Sequence, residues 1–133
     1  MKNKTVIISL SDEKYFHLLN ELIGSIKSFN QSKEVDICIL DAGMNDNQLE
    51  ILKSKVKEIK KAEWDIEVPS SKIKNREWLK SQISRAFLPK YFPNYENYIW
   101  IDSDAWVNDW VAIDLLIKGC EQKSLAITQT IAP

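Results

Sequence analysis

Two aspartates, Asp102 and Asp104, stand at the end of the apolar run Tyr98-Ile99-Trp100-Ile101. In extended backbone, residues two apart project to the same side, so both carboxylates point one way and Ser103 the other. Two acidic groups converging at a solvent-open strand end repel each other unless a cation lies between them. A hard divalent ion, Mn²⁺ or Mg²⁺, accepts carboxylate oxygens and completes an octahedral shell with water and phosphate oxygens. Held there, it could bridge a diphosphate and stabilise its charge as it leaves. The plainer alternative is that either aspartate forms a turn or caps the helix that follows. A second polar strand end, Ser9-Leu10-Ser11-Asp12, follows the apolar run Val6-Ile7-Ile8 and leads to Tyr15.

Both polar segments depend on strands that must hold them side by side. Val6-Ile7-Ile8 is a continuous β-branched run, as in a strand buried on both faces. From Tyr15 the period changes: Phe16, Leu19, Leu22, Ile23, Ile26 and Phe29 follow helical spacing, up to Asn30-Gln31-Ser32. Val35 to Leu40 reads as a second strand, broken by Asp41-Ala42-Gly43. Asn45 with Gln48 three residues on predicts a capped helix carrying Leu49, Leu52, Val56 and Ile59 inward. Trp64 to Val68 reads as a third strand, Ser70 to Arg76 as a surface loop, and Glu77 to Leu88 as a helix stopped by Pro89. Tyr98 to Ile101 is the fourth strand, Asp109 to Cys120 a last helix, and Leu125 to Thr128 a last short strand. Strands alternating with helices predict an α/β fold, a three-layer αβα sandwich with a mostly parallel sheet. In such sheets ligands bind beyond the carboxyl ends of the strands, where the strand order reverses.

Composition narrows the function classes. The 133 residues carry 18 basic and 19 acidic side chains, a net charge of −1, and 44% hydrophobic residues. That length and balance predict one soluble domain, 1–133, with no field to draw it onto nucleic acid. The lysines at 53, 55, 57, 60 and 61 share their helix with glutamates and no aromatic interleaves, so they read as a solvated face. Cys38 sits in an apolar run as a small buried hydrophobe, and the cysteine spacing offers no metal pair. His17, the only histidine, lies beside the apolar stripe of its helix and reads as a surface residue. Trp100 reads as strand core, with Trp106 and Trp110 packed behind the aspartate loop. No stretch reaches the ~20 apolar residues of a membrane span, and the first apolar run is too short for a signal peptide, so a cytoplasmic protein is expected. GxGxxG and P-loop motifs are absent.

Four ordered segments carry a resemblance. Tyr98-Ile99-Trp100-Ile101-Asp102-Ser103-Asp104-Ala105-Trp106-Val107-Asn108-Asp109 resembles the strand-plus-DxD signature of GT-A-fold glycosyltransferases, family 8 above all. Ile39-Leu40-Asp41-Ala42-Gly43-Met44-Asn45 is similar to that family's element after the second strand. Ser84-Arg85-Ala86-Phe87-Leu88-Pro89 is similar to its helix upstream of the DxD strand, and Ser9 to Tyr15 to its first nucleotide-binding turn. The resemblance implies a nucleotide-diphospho-sugar transferase fold and a metal-dependent transferase taking a nucleotide-sugar donor, a UDP-sugar, to a glycan, lipid or protein acceptor. It makes Asp102 and Asp104 the ligands of Mn²⁺ (or Mg²⁺) and brings Ser103 near the ribose. Ser9, Leu10, Ser11 and Asp12 would form the nucleotide turn, with Asp12 facing base or ribose. Tyr15 would stack on the uracil, and Arg85 would reach the nucleotide or its phosphates. The plainer alternatives are that Tyr15 is a helix staple and Arg85 half of a surface ion pair.

Members of the family continue well beyond this length, with a second half that binds acceptor and donor sugar and supplies a further metal ligand. The chain is therefore expected to be a truncated, N-terminal piece that binds nucleotide weakly, lacks transfer activity alone and self-associates through an exposed apolar patch. A retaining outcome belongs to the resemblance only, and no catalytic residue is identified. The competing reading is a non-catalytic nucleotide-binding or protein-interaction module derived from such a transferase. A nucleotidyltransferase would place a glycine-rich, basic loop after the first strand, where Ser9-Leu10-Ser11-Asp12-Glu13 is neither.

Overall fold

Strand β1 (Thr5–Ser11) has almost every side chain buried, and it lies in the middle of the sheet. Its parallel partners are β2 (Val35–Asp41) on one side and β4 (Asn97–Trp100) on the other, with β3 (Glu58–Lys61) beyond β2. The order β3-β2-β1-β4 therefore reverses between β1 and β4. The computed structural model describes residues 3–63 and 84–123. The expected loop at Ser70 to Arg76 and strands at Trp64 to Val68 and Leu125 to Thr128 lie outside the described residues, as does most of the helix expected at Glu77 to Leu88.

Side-chain alternation divides β1 between two cores. Ile7, with Val35, Ile37, Ile39 and Ile99, faces helices α1 (Phe16–Lys27), α2 (Asp46–Lys53) and α4 (Trp110–Lys123), which contribute Leu19, Leu22, Ile23, Ile26, Leu52, Trp110 and Ile113. Val6 and Ile8, with Cys38 and Leu40, face the short helix α3 (Leu88–Tyr91), which brings Leu88 and Tyr91, with Phe92 just beyond. Helices thus lie on both faces of a parallel sheet, as the alternating periods predict. Cys38 is fully buried, and desolvation pushes its thiol up to about 11, so it stays protonated and packs as an apolar side chain. Near the start of β2, buried Asp36 accepts hydrogen bonds from Asn3 Nδ2 at 2.9 Å and from the Tyr95 hydroxyl at 2.6 Å, and Lys57 lies 3.6 Å away. Burial and this bond to Asp36 push the Tyr95 phenol well above its ordinary value. No described helix is long and apolar enough to cross a membrane.

The capping box is present: Asn45 Oδ1 accepts from Gln48 N at 2.9 Å, and Gln48 Oε1 accepts from Asn45 N at 3.1 Å. Asn45→Ala should cost about 1 kcal/mol, a fall in Tm of about 4 °C in thermal unfolding, because it strands a first-turn donor.

Two expected boundaries are corrected. The second helix stops at Lys53, and Ile59 lies in β3. The 49/52/56/59 spacing fits a helix, yet Glu58 to Lys61 pair with Cys38 to Asp41, and sheet pairing overrides the period. Pro89 does not end a helix. It sits in the first turn of α3, where its missing N–H is not needed and its φ suits the helix.

Candidate active site

The carboxyl ends of β1 and β4 open into a cleft of about 300 Å³ at the strand-order reversal. Leu10, Ser11 and Asp12 form one wall, with Tyr15 and Leu18 from the start of α1. Trp100, Asp102, Ser103 and Asp104 form the opposite wall, with Arg85 and Ala42 beside them. Each location follows from the local fold. Asp102 to Asp104 make a turn directly after β4, with Ala105 N bonding Asp102 O at 3.0 Å. Asp12 Oδ1 accepts the Tyr15 N–H at 3.0 Å, which fixes the turn into α1. Tyr15 is 44% exposed, with the Lys14 ammonium 5.4 Å from its ring centroid.

The Asp41-Ala42-Gly43 segment supports that first turn from behind. Asp41 Oδ1 accepts from Gly43 N and Met44 N, and Gly43 O accepts from Glu13 N at 3.1 Å. Gly43 has φ +126°, a conformation side-chain-bearing residues rarely adopt. Gln48 Nε2 also donates to Glu13 O, so the helix cap and the cleft wall share partners.

Arg85 lies on a 3-10 turn (Arg85–Phe87) ahead of α3 and reaches across to the aspartates. Its Nη2 donates to Asp102 Oδ1 at 2.7 Å, and its guanidinium lies 5.1 Å over the Trp100 ring. Trp100 Nε1 donates to the same oxygen at 2.8 Å. Asp102 remains 57% exposed, and Asp104 is exposed as well. Among the described residues no group of three or more His, Cys, Asp or Glu side chains converges to hold a metal.

Of the residues singled out from the sequence, Leu10, Ser11, Asp12, Tyr15, Arg85, Asp102, Ser103 and Asp104 share this cleft. Ser9 does not. Alternation turns its side chain to the face of Ile7, where it is buried and its hydroxyl has no partner among the described residues. Trp100, which reads as strand core, packs half-buried against the core of Val6 and Ile8 and also lines the cleft, since β4 ends there. Trp106 is 60% exposed rather than packed behind the loop, while Trp110 is buried against Phe29, ring centroids 5.8 Å apart. His17 is exposed, as expected.

Comparison with solved structures gives the fold a context. The chain matches crystal structures of LgtC, one an active-site mutant and one a galactosyltransferase complex with donor and acceptor sugar analogs. In each case the TM-score is 0.59 and the identity 16%, over 81% of this chain and 41% of LgtC. It also matches S. aureus TarS (residues 1–349) with a TM-score of 0.52 and 16% identity, over 93% of this chain and 33% of TarS. The chain therefore spans less than half the length of these relatives. No curated protein sequence matches it. At such identities the likeness shows a shared fold, that of GT-A glycosyltransferases. Residues 6–123, nearly the whole chain, match the sequence profile of Glycosyl transferase family 8, and the chain belongs to that family.

Proposed function

We propose that this chain is the nucleotide-sugar-binding part of a glycosyltransferase that uses a divalent cation and a UDP-sugar donor. The observation that carries this reading is the convergence of Asp102, Asp104, Arg85, Asp12 and Tyr15 on one cleft at the switch point of a parallel sheet. The carboxylates suit a hard cation. Oδ1 of Asp102 is engaged by Arg85 and Trp100, Oδ2 accepts no hydrogen bond among the described residues, and Asp104 is exposed. Asp102 and Asp104 would hold Mn²⁺ or Mg²⁺ with water and phosphate oxygens completing its shell. Bound there, the cation supplies positive charge to a departing diphosphate.

The chain's own residues supply the rest. The exposed Tyr15 ring offers a face to the base, a contact worth about 1–3 kcal/mol. Asp12 keeps one carboxylate oxygen for a base or ribose donor, since the other holds the turn. Ser103 lies between the metal-binding aspartates, within the wall that a ribose would meet. The Arg85 fork, exposed on the cleft, pairs with phosphate oxygens once an anion competes with Asp102. The acceptor would be a glycan, lipid or protein hydroxyl.

Calorimetric titration of UDP with and without Mn²⁺ tests the reading. The expected result is binding that requires or is strengthened by Mn²⁺. A folded sample that binds UDP under neither condition refutes it. The second reading, a nucleotide-binding module without chemistry, is favoured by the lack of a third metal-ligating side chain among the described residues. It predicts Mn²⁺-dependent UDP binding with no turnover of any UDP-sugar.

A further inference from the structure

We propose that Trp100 is a positioning residue for Asp102: its indole N–H holds Oδ1 so that Oδ2 is presented to the cation. The inference rests on the cation-dependent reading of the cleft given above.

Trp100 and Asp102 are two residues apart at the end of β4, so extended backbone carries both to one side. The indole nitrogen is a donor only, and it lies 2.8 Å from Asp102 Oδ1. Its backbone is held by the sheet, where Trp100 pairs with Ile8 of β1 and Ile101 N donates to Ile8 O at 3.1 Å. Arg85 Nη2 reaches the same oxygen at 2.7 Å, but the two donors differ in kind. The guanidinium is a full positive charge. It opposes a divalent cation on the same carboxylate and is drawn away by a diphosphate. The indole N–H is neutral and rigid, so it stays in place when Arg85 leaves and adds no charge to repel the metal. Two donors on one oxygen also leave the other without a hydrogen bond among the described residues, as the ligand atom. Hydrogen-bond partners of metal ligands orient them in this way, and losing one typically costs roughly 10–100-fold in metal affinity.

The test compares wild-type protein with Trp100→Phe, which keeps an aromatic ring under Arg85 and removes the donor. A second variant carries benzothienylalanine at position 100, which preserves the indole shape without its N–H and guards against a packing defect. Mn²⁺ affinity is measured by electron paramagnetic resonance of the free ion, with UDP present. Mn²⁺-free UDP affinity and Tm are measured alongside. Mn²⁺ affinity should fall about ten-fold in both variants. Tm should hold in the isostere, and Mn²⁺-free UDP affinity should fall less than Mn²⁺ affinity does. Unchanged Mn²⁺ affinity in the isostere overturns the positioning role and leaves the metal site standing. An equal loss of Mn²⁺-free UDP binding in the isostere also overturns it, by showing Trp100 to be a wall of the nucleotide site. Wild-type protein that binds no Mn²⁺ overturns the metal reading and this inference together.

Discussion

Replacing Asp104 by alanine is expected to remove the manganese-dependent part of UDP binding, weakening it more than about 100-fold. That exceeds the roughly 10–100-fold cost of losing only a hydrogen-bond partner of a metal ligand. Asp104 is exposed and makes no hydrogen bond among the described residues, so its loss should change the folding free energy by less than about 0.5 kcal/mol, as for ordinary surface substitutions. Asp102→Ala should lose the manganese-dependent part equally but differ in what remains. Asp102 is the anchor of Arg85, and removing it frees the guanidinium, which then meets phosphate oxygens without a competing carboxylate. UDP binding without Mn²⁺ should therefore rise a few-fold in Asp102→Ala and stay flat in Asp104→Ala. The Arg85–Asp102 pair is exposed, so its own contribution to folding is small, about 0–1 kcal/mol. Calorimetry on the two variants, with and without Mn²⁺, separates these effects. If both variants keep wild-type manganese dependence, the cation is held elsewhere and the proposed function loses its central support.

Much of this arrangement was legible in residue order alone, for identifiable reasons. Val6-Ile7-Ile8 is apolar throughout and Val35 to Leu40 is apolar but for Asp36, and neither has a helical period, so both read as strands. Asn45 and Gln48 declare a helix start by chemistry local to four residues, and the structure forms that box. The cleft walls followed from where polar residues succeed a strand. What failed depended on distant partners. Ile59 continues a helical spacing, and only pairing of Glu58 to Lys61 with β2 places it in a strand. Trp100 reads as core because its role depends on Asp102 and on Arg85, seventeen positions before Asp102. For Ser9 the signal lies in alternation together with position: its side chain shares the face of Ile7 and is buried within the strand, whereas Ser11, on the same face, stands at the strand's end and lines the cleft. Trp106 shows the limit of burial guesses for aromatics, since an apolar type does not dictate a covered position.

The largest effect on stability is expected at Phe92, and it should reach the cleft as well. The sheet face covered by α3 is the thinner side of the described fold, because a four-residue helix stands where α1, α2 and α4 cover the other. Phe92 is fully buried there, against the face of Val6, Ile8, Cys38 and Leu40. Its amide donates to Leu88 O at 3.0 Å, its carbonyl accepts from the Tyr98 hydroxyl at 2.7 Å, and the Lys60 ammonium lies 5.5 Å from its ring. Phe92→Ala leaves a cavity that so short a helix cannot fill by shifting, and should cost about 3–5 kcal/mol. Against a typical total of about 5–15 kcal/mol, that is a large fraction of the folding free energy. Tm should therefore fall by more than about 10 °C. Phe92→Leu keeps most of the volume and should cost less than about 1.5 kcal/mol, the usual limit for swaps of similar size. Arg85 enters the cleft from the turn that leads into α3, so loosening α3 should also weaken UDP binding at temperatures where the variant is still folded. Chemical denaturation of the alanine and leucine variants, with UDP titrations at 10 °C, checks both effects. A Phe92→Ala protein that loses stability but binds UDP as wild type does would mean that Arg85 is held by its own turn and by Asp102, independently of α3.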